Sequence, residues 1–193
     1  MNCSGPIDAA VLADYWFSLL TDPEDGAVEE HLLACDECGE RLREVIALAE
    51  GVRKLAREGS LLMIVSDAFL KRAAEQGMRI REYAVPAGGQ VQCTVALEDD
   101  LLIGRLAANL SAAKRVDLCL CNVKGEETFR LKDIPVHSAA ANVAFQQPIG
   151  YAKAAPSETI IARLVAVDES NREQLLGEYT FNHTRTIPGP AAW

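Results

Sequence analysis

The chemistry of this chain is concentrated in His31-Leu-Leu-Ala-Cys35-Asp-Glu-Cys38, an H-x3-C-x2-C stretch. His31 and Cys35 are four residues apart, so on a helix they project from one face, a turn apart. Cys38 follows after the two-residue spacer that lets paired thiolates close on one tetrahedral ion. Imidazole and thiolate together suit zinc. Apolar segments run up to this cluster and away from it, as expected of a helix pair too small to hold itself together and pinned by a metal.

Structural zinc takes four donors. Cys3, on the stretch before the first helix, is the leading candidate to join His31, Cys35 and Cys38; Asp8 or a water is the alternative. A site closed by three Cys and one His has no open position for a substrate. The other three cysteines, Cys93, Cys119 and Cys121, are expected to be small buried hydrophobes, the last two sharing a strand face. No close ligand spacing joins them to His137 or His183. The chain has no G-x-S-x-G, no phosphate-binding glycine loop and no H-E-x-x-H, and only three histidines. A non-enzymatic protein is expected.

Four helices are expected to carry and follow the cluster. The first spans about 6–20, with Tyr15 and Trp16 packed in its core. Thr21-Asp22-Pro23-Glu24-Asp25 is a helix start: a capping residue, a proline in the first turn, then acids. The second helix therefore runs from about 23 to 34 with His31 in its last turn, and the C-x2-C makes the corner. The third, about 37–57, is amphipathic, with Leu42, Val45, Ile46, Ala49, Val52 and Leu55 on one face. Gly59-Ser60 breaks the pattern. Ser60 can cap a fourth helix over about 61–76 that ends at Gly77, its wide apolar face serving either as core or as a partner-binding surface.

Beyond Gly77 the pattern becomes alternating and β-branched. Strands are expected at 79–85, 91–97, 102–108, 115–123, 128–134, 142–145, 159–168 and 173–181, separated by turns such as Pro86-Ala-Gly-Gly89 and Gln147-Pro148-Ile-Gly150. Strands at such intervals, with no helix-length segment between them, point to an antiparallel β-sandwich. The chain thus reads as α+β by segregated domains: a small zinc-binding helical bundle over 1–77, a β-sandwich over 78–186, and a tail at 187–193.

The net charge of −9 is unevenly placed: residues 1–77 hold 15 Asp and Glu against 7 Lys and Arg. That surface repels nucleic acid and attracts a basic partner. The longest run of bulky apolar residues, Leu61 to Val65, is far short of the about 18 a spanning helix needs. The N-terminal residues show neither the basic nor the apolar region of a signal peptide, so a cytoplasmic protein away from membranes is expected, its cysteines reduced or metal-bound.

Residues 1–77 resemble the zinc-binding anti-sigma factor family of bacteria. The likeness rests on Cys3, Tyr15, Asp22-Pro-Glu24, Val28-Glu-Glu-His31 and the H-x3-C-x2-C ending at Cys38, followed by the amphipathic third helix. Cys3 lies slightly further before His31 than is usual there. The resemblance implies a helical bundle joined by zinc that clamps a sigma factor of the extracytoplasmic-function type, keeps it from RNA polymerase, and uses the fourth helix in that clamp. It also implies that oxidation of zinc-bound thiolates to a disulfide, with loss of zinc, is a route to release. The β region lies outside the resemblance; a metal-binding cupin there would need clustered histidines, and His137 and His183 stand apart. The competing expectation is a zinc-stabilised adaptor whose sandwich binds a peptide or carbohydrate.

Overall fold

The computed structural model describes residues 3, 5–136 and 140–186; the expected tail and His137 lie outside the described residues. The chain forms two compact units, Met1–Leu55 and Ala56–Trp193, divided near the end of the third helix rather than after Gly77. No helix among the described residues is long and apolar enough to cross a membrane.

The first unit is built from α1 (Ala9–Trp16), α2 (Asp22–Ala34) and most of α3 (Asp36–Arg57). Asp8 begins α1 by accepting the Ala10 N–H at 2.7 Å, and Ser18, in the left-handed region at φ 56°, helps turn the chain out of it. This makes α1 shorter than the apolar periodicity predicts. Trp16, expected in the core, is 38% exposed, because the short helix has one narrow buried stripe centred on Leu12. The start of α2 follows its sequence signal. The Thr21 N–H and hydroxyl both donate to the Glu24 carboxylate, at 2.9 and 2.7 Å, and these bonds hold that carboxyl below its ordinary range. Along α3, Leu42, Val45, Ile46 and Ala49 are half-buried, whereas Val52 and Leu55 are exposed.

The second unit is a two-layer β-sandwich. One sheet has the order β1 (Met63–Ile64), β7 (Asn142–Gln147), β4 (Leu101–Ala107), β2 (Ile80–Val85). The other has β3 (Gln90–Thr94), β9 (Glu173–Thr184), β8 (Glu158–Val167), β5 (Val116–Cys121), β6 (Glu127–Ile134). All eight expected strands form. The pairings are antiparallel except at two outer positions, where β2 lies parallel to β4 and β3 parallel to β9. The Pro86-to-Gly89 turn carries the chain from β2 in one sheet to β3 in the other. The core lies between the sheets: Val85, Leu106, Val143 and Phe145 from one meet Leu118, Leu164, Tyr179 and Phe181 from the other.

The fourth helix is not the one the pattern predicts. Residues 61–65 are not helical; Met63 and Ile64 pair with Gln146 and Phe145, and the Val65 N–H donates to Ala144 O at 2.9 Å. The β-branched Ile64-Val65 suits that edge. The cap is Ser66, not Ser60: its hydroxyl accepts the Phe69 N–H at 3.2 Å and opens α4 (Asp67–Glu75), which ends before Gly77 at φ 80°. Leu70 and Ala73 of α4 pack with Leu101, Ile103 and Ala144, so the apolar face of α4 is core of the second unit and not a free surface. The fully buried Gln146 ties residues 56–61 to this unit by donating to Ala56 O and Leu61 O at 3.3 and 3.1 Å. A short α5 (Ile149–Ala154), in place of the expected turn, packs Ile149 and Ala152 against Val95 and Leu102.

Gly59 joins these pieces in a conformation only glycine adopts freely. At φ 64° its N–H donates to Ala56 O and its C=O accepts the Ile149 N–H at 2.8 Å, while a Cβ would stand 2.5 Å from Asp100 O. Gly59→Ala is expected to destabilise the sandwich unit by about 2 kcal/mol, the left-handed strain plus the backbone overlap, read as a lower urea midpoint with unchanged slope.

The outer face of β5 carries Asp117, Cys119 and Cys121, all buried. Arg130 covers it, bonding Asp117, Glu127 and Glu173 at 3.2, 2.8 and 2.6 Å, and Arg163 Nη1 stands 3.7 Å from Cys121 Sγ. Burial pushes the Cys119 thiol up to about 12, which keeps it neutral and packed as a small hydrophobe.

Candidate metal centre

Three local features place the donors. His31 lies in the last turn of α2, Cys35 sits at its end in an extended conformation, and Cys38 lies in the first turn of α3. The Cys35 C=O accepts the Gly39 N–H at 3.1 Å, so α3 begins at once and the corner stays tight. The fourth donor comes from the N-terminal strand of chain: the Cys3 N–H donates to the Glu37 carboxylate at 3.3 Å, which holds that segment against the start of α3.

The result is a cluster in which the donor atoms of Cys3, His31, Cys35 and Cys38 all lie within 4.8 Å of one another. Cys3 Sγ is 3.5 Å from His31 Nε2 and 3.9 Å from Cys38 Sγ. Tetrahedral zinc with bonds of about 2.3 Å to sulfur requires donors roughly 3.7 Å apart. The two Cys3 distances lie close to that spacing, all four donors fall within 4.8 Å, and their number and elements are right, so these residues fit a tetrahedral ion. Asp8, the alternative fourth donor, is instead occupied with the Ala10 amide.

Backbone amides surround the sulfurs and favour the charged thiolate. The Ile7 N–H donates to Cys38 Sγ at 3.5 Å. The Cys38 N–H bonds the Cys35 sulfur and is the main reason the Cys35 thiol is lowered to about 7, overcoming its burial, with Cys3, His31 and Cys38 adding to the effect. The position just before a helix is one where thiolates are stabilised. Around Cys3 the balance differs: the Gly5 N–H pulls its thiol down, but burial and the neighbouring sulfurs of Cys35 and Cys38 together raise it above the ordinary range. Without a cation, the neighbouring sulfurs favour the thiolate at Cys35 and oppose it at Cys3. A divalent ion would remove that conflict and hold all three as thiolates.

The unit around the cluster has almost no core. In residues 1–55 the buried side chains among those described are Leu12, Val28 and Cys38, and the last is itself a donor. Its surface is correspondingly apolar: Phe17, Leu19, Leu33, Leu48 and Val52 are exposed, Leu33 by 91%. Arg53 lies over the Phe17 ring at 5.4 Å.

In the second unit the cysteines and His183 have other surroundings. Cys93 and His183 face each other in register across β3 and β9, a pairing that sequence spacing does not reveal because the residues are 90 apart and the strands are parallel. The alternation of β9 does carry a signal, since it puts Tyr179, Phe181 and His183 on one inward face. No protein-family model matches this chain, and no curated protein matches it.

Proposed function

We propose that the helical unit is a zinc-pinned inhibitor that sequesters a sigma factor of the extracytoplasmic-function type and blocks its union with RNA polymerase. The observation that carries this reading is the convergence of Cys3, His31, Cys35 and Cys38 on a unit with almost no core of its own. Zinc held there would cross-link the N-terminal segment, the end of α2 and the start of α3. The exposed apolar side chains supply the contact surface. Residues 1–55 carry 12 acidic and 4 basic side chains, a charge suited to covering the basic DNA-binding surfaces of a sigma factor. Since the apolar face of α4 is used in the sandwich unit, the inhibitory surface belongs to α1–α3. The proposed site of action is the cytoplasm, where thiols stay reduced.

Release follows from thiol chemistry. Two of the three thiolates give up two electrons to a peroxide, an S–S bond forms as the O–O bond breaks to two hydroxides, and two donors remain. Two donors do not make a structural site.

The contact surface can be tested apart from the metal. Leu33→Glu with Leu48→Glu, at two exposed positions, is expected to weaken sigma-factor binding at least a hundredfold while zinc content and helicity stay as in the parent. Binding unchanged in this double variant would place the interface elsewhere. Failure of the parent chain to bind any sigma factor of its own cell would remove the reading altogether.

A further inference from the structure

The sandwich unit contains a cavity of about 60 Å³ beside Cys93 and His183. Its walls are mainly apolar, including Leu102, Phe145, Ile160 and Phe181, with Glu158 and the exposed Tyr151 among its lining residues. Phe145 and Phe181 meet edge to face, ring centroids 6.2 Å apart. His183 is 8% exposed, and its Nε2 is buried with no hydrogen-bond partner. The neighbours that register places beside it do not explain this. Cys93 is a neutral thiol, pushed up by burial, and Glu158, opposite His183 on β8, is an exposed residue that makes no hydrogen bond to it. The Tyr83 hydroxyl, also in the wall, is fully used: it donates to Thr94 O at 2.6 Å and accepts the Thr94 N–H at 2.8 Å.

An unpaired buried polar atom is unfavourable and calls for an occupant that pairs with it. Water alone is a poor occupant, since a buried water needs two to four polar partners and these walls offer few. At about 10–15 Å³ per water position the cavity accommodates roughly five, equivalent to roughly 150 Å³ of liquid, the size of one substituted ring. No Lys or Arg is among the described residues lining the space, so an anionic ligand would find no countercharge there. A hydroxyl both donates and accepts, so it pairs with Nε2 in either tautomer of the ring.

We propose that this cavity is a binding site for a small, uncharged, single-ring hydroxyl compound of the phenol type, its ring against the apolar wall that includes Phe145 and Phe181 and its hydroxyl paired with His183 Nε2. The site lies within the sandwich unit and does not depend on the sigma-factor reading. Phenol and toluene serve as probes of nearly equal size that differ in the hydroxyl. Calorimetric titration of the full chain is expected to show saturable phenol binding and at least tenfold weaker toluene binding, with the preference gone in His183→Leu. In the unsubstituted protein, phenol should shift the ¹⁵N resonance of His183 Nε2 and toluene should leave it in place, a readout that stands even if His183→Leu fails to fold. Absence of saturable phenol binding, equal affinity for toluene, or phenol binding that leaves the Nε2 resonance unmoved would each overturn the proposal.

Discussion

Cys35→Ser or Cys38→Ser is expected to lose the proposed zinc and unfold residues 1–55, while the sandwich keeps its own unfolding transition. The size of the effect follows from how little else holds the helical unit. Its buried described side chains are Leu12, Val28 and Cys38, whereas domains this small that fold without metals or disulfides bury a substantial core. Structural zinc sites in small peptides are worth about 10–16 kcal/mol near neutral pH, far beyond what two buried aliphatic side chains can supply. A strong chelator should reproduce the substitution: the helical circular-dichroism signal of α1–α3 falls, and zinc restores it. Cys93→Ser, in the other unit, should leave metal content unchanged. If Cys38→Ser retained one zinc per chain and full helicity, the cluster would not be what holds the unit.

In the sandwich the largest expected loss comes from Phe145→Ala. Phe145 is 2% exposed and reaches from one sheet to Phe181 of the other. Its cross-strand partner on β4 is Gly104, where a Cβ would stand 2.5 Å from Phe145 Cζ, so the ring lies directly on bare backbone. Truncation removes the inter-sheet contact and leaves a void that the glycine cannot fill. A cost of about 3–5 kcal/mol is expected, which is roughly a 10 °C drop in the midpoint of the sandwich transition. Because the metal cluster lies in a separate compact unit, zinc content should be unaffected.

The parts of this structure that were legible in the sequence are those governed by near neighbours. His31, Cys35 and Cys38 fall within one helical turn and a corner, and Thr21 with Glu24 is a cap complete in four residues. The eight long strands show their alternation for the same reason. Cys3 was harder, since only the folded-back segment held by Glu37 brings it to the others. Helix α4 shows the limit of local signals. Ser60 and Ser66 are both competent caps, and the choice was made by β7, whose edge recruits Met63 and Ile64 as strand. That tertiary pairing also moved the division between units from Gly77 back to Leu55. Alternation tells which face of a strand is buried but not which strand lies beside it, so the parallel placements of β2 and β3 were invisible. So was the meeting of His183 with Cys93. Helix α5 was missed because Pro148 and Gly150 read as turn residues, although Ile149, Ala152 and Ala155 recur every third position.

The central claim is that zinc holds the helical unit in the shape that captures a sigma factor. Isolation of the tagged full chain from its native cells, with metals and bound proteins quantified in one sample, tests it most directly. The account predicts one zinc per chain and a sigma factor at equal stoichiometry, both lost together in Cys35→Ser. A chain carrying neither zinc nor a sigma factor would contradict it, and a chain carrying zinc alone would leave the metal site standing and refute the partner.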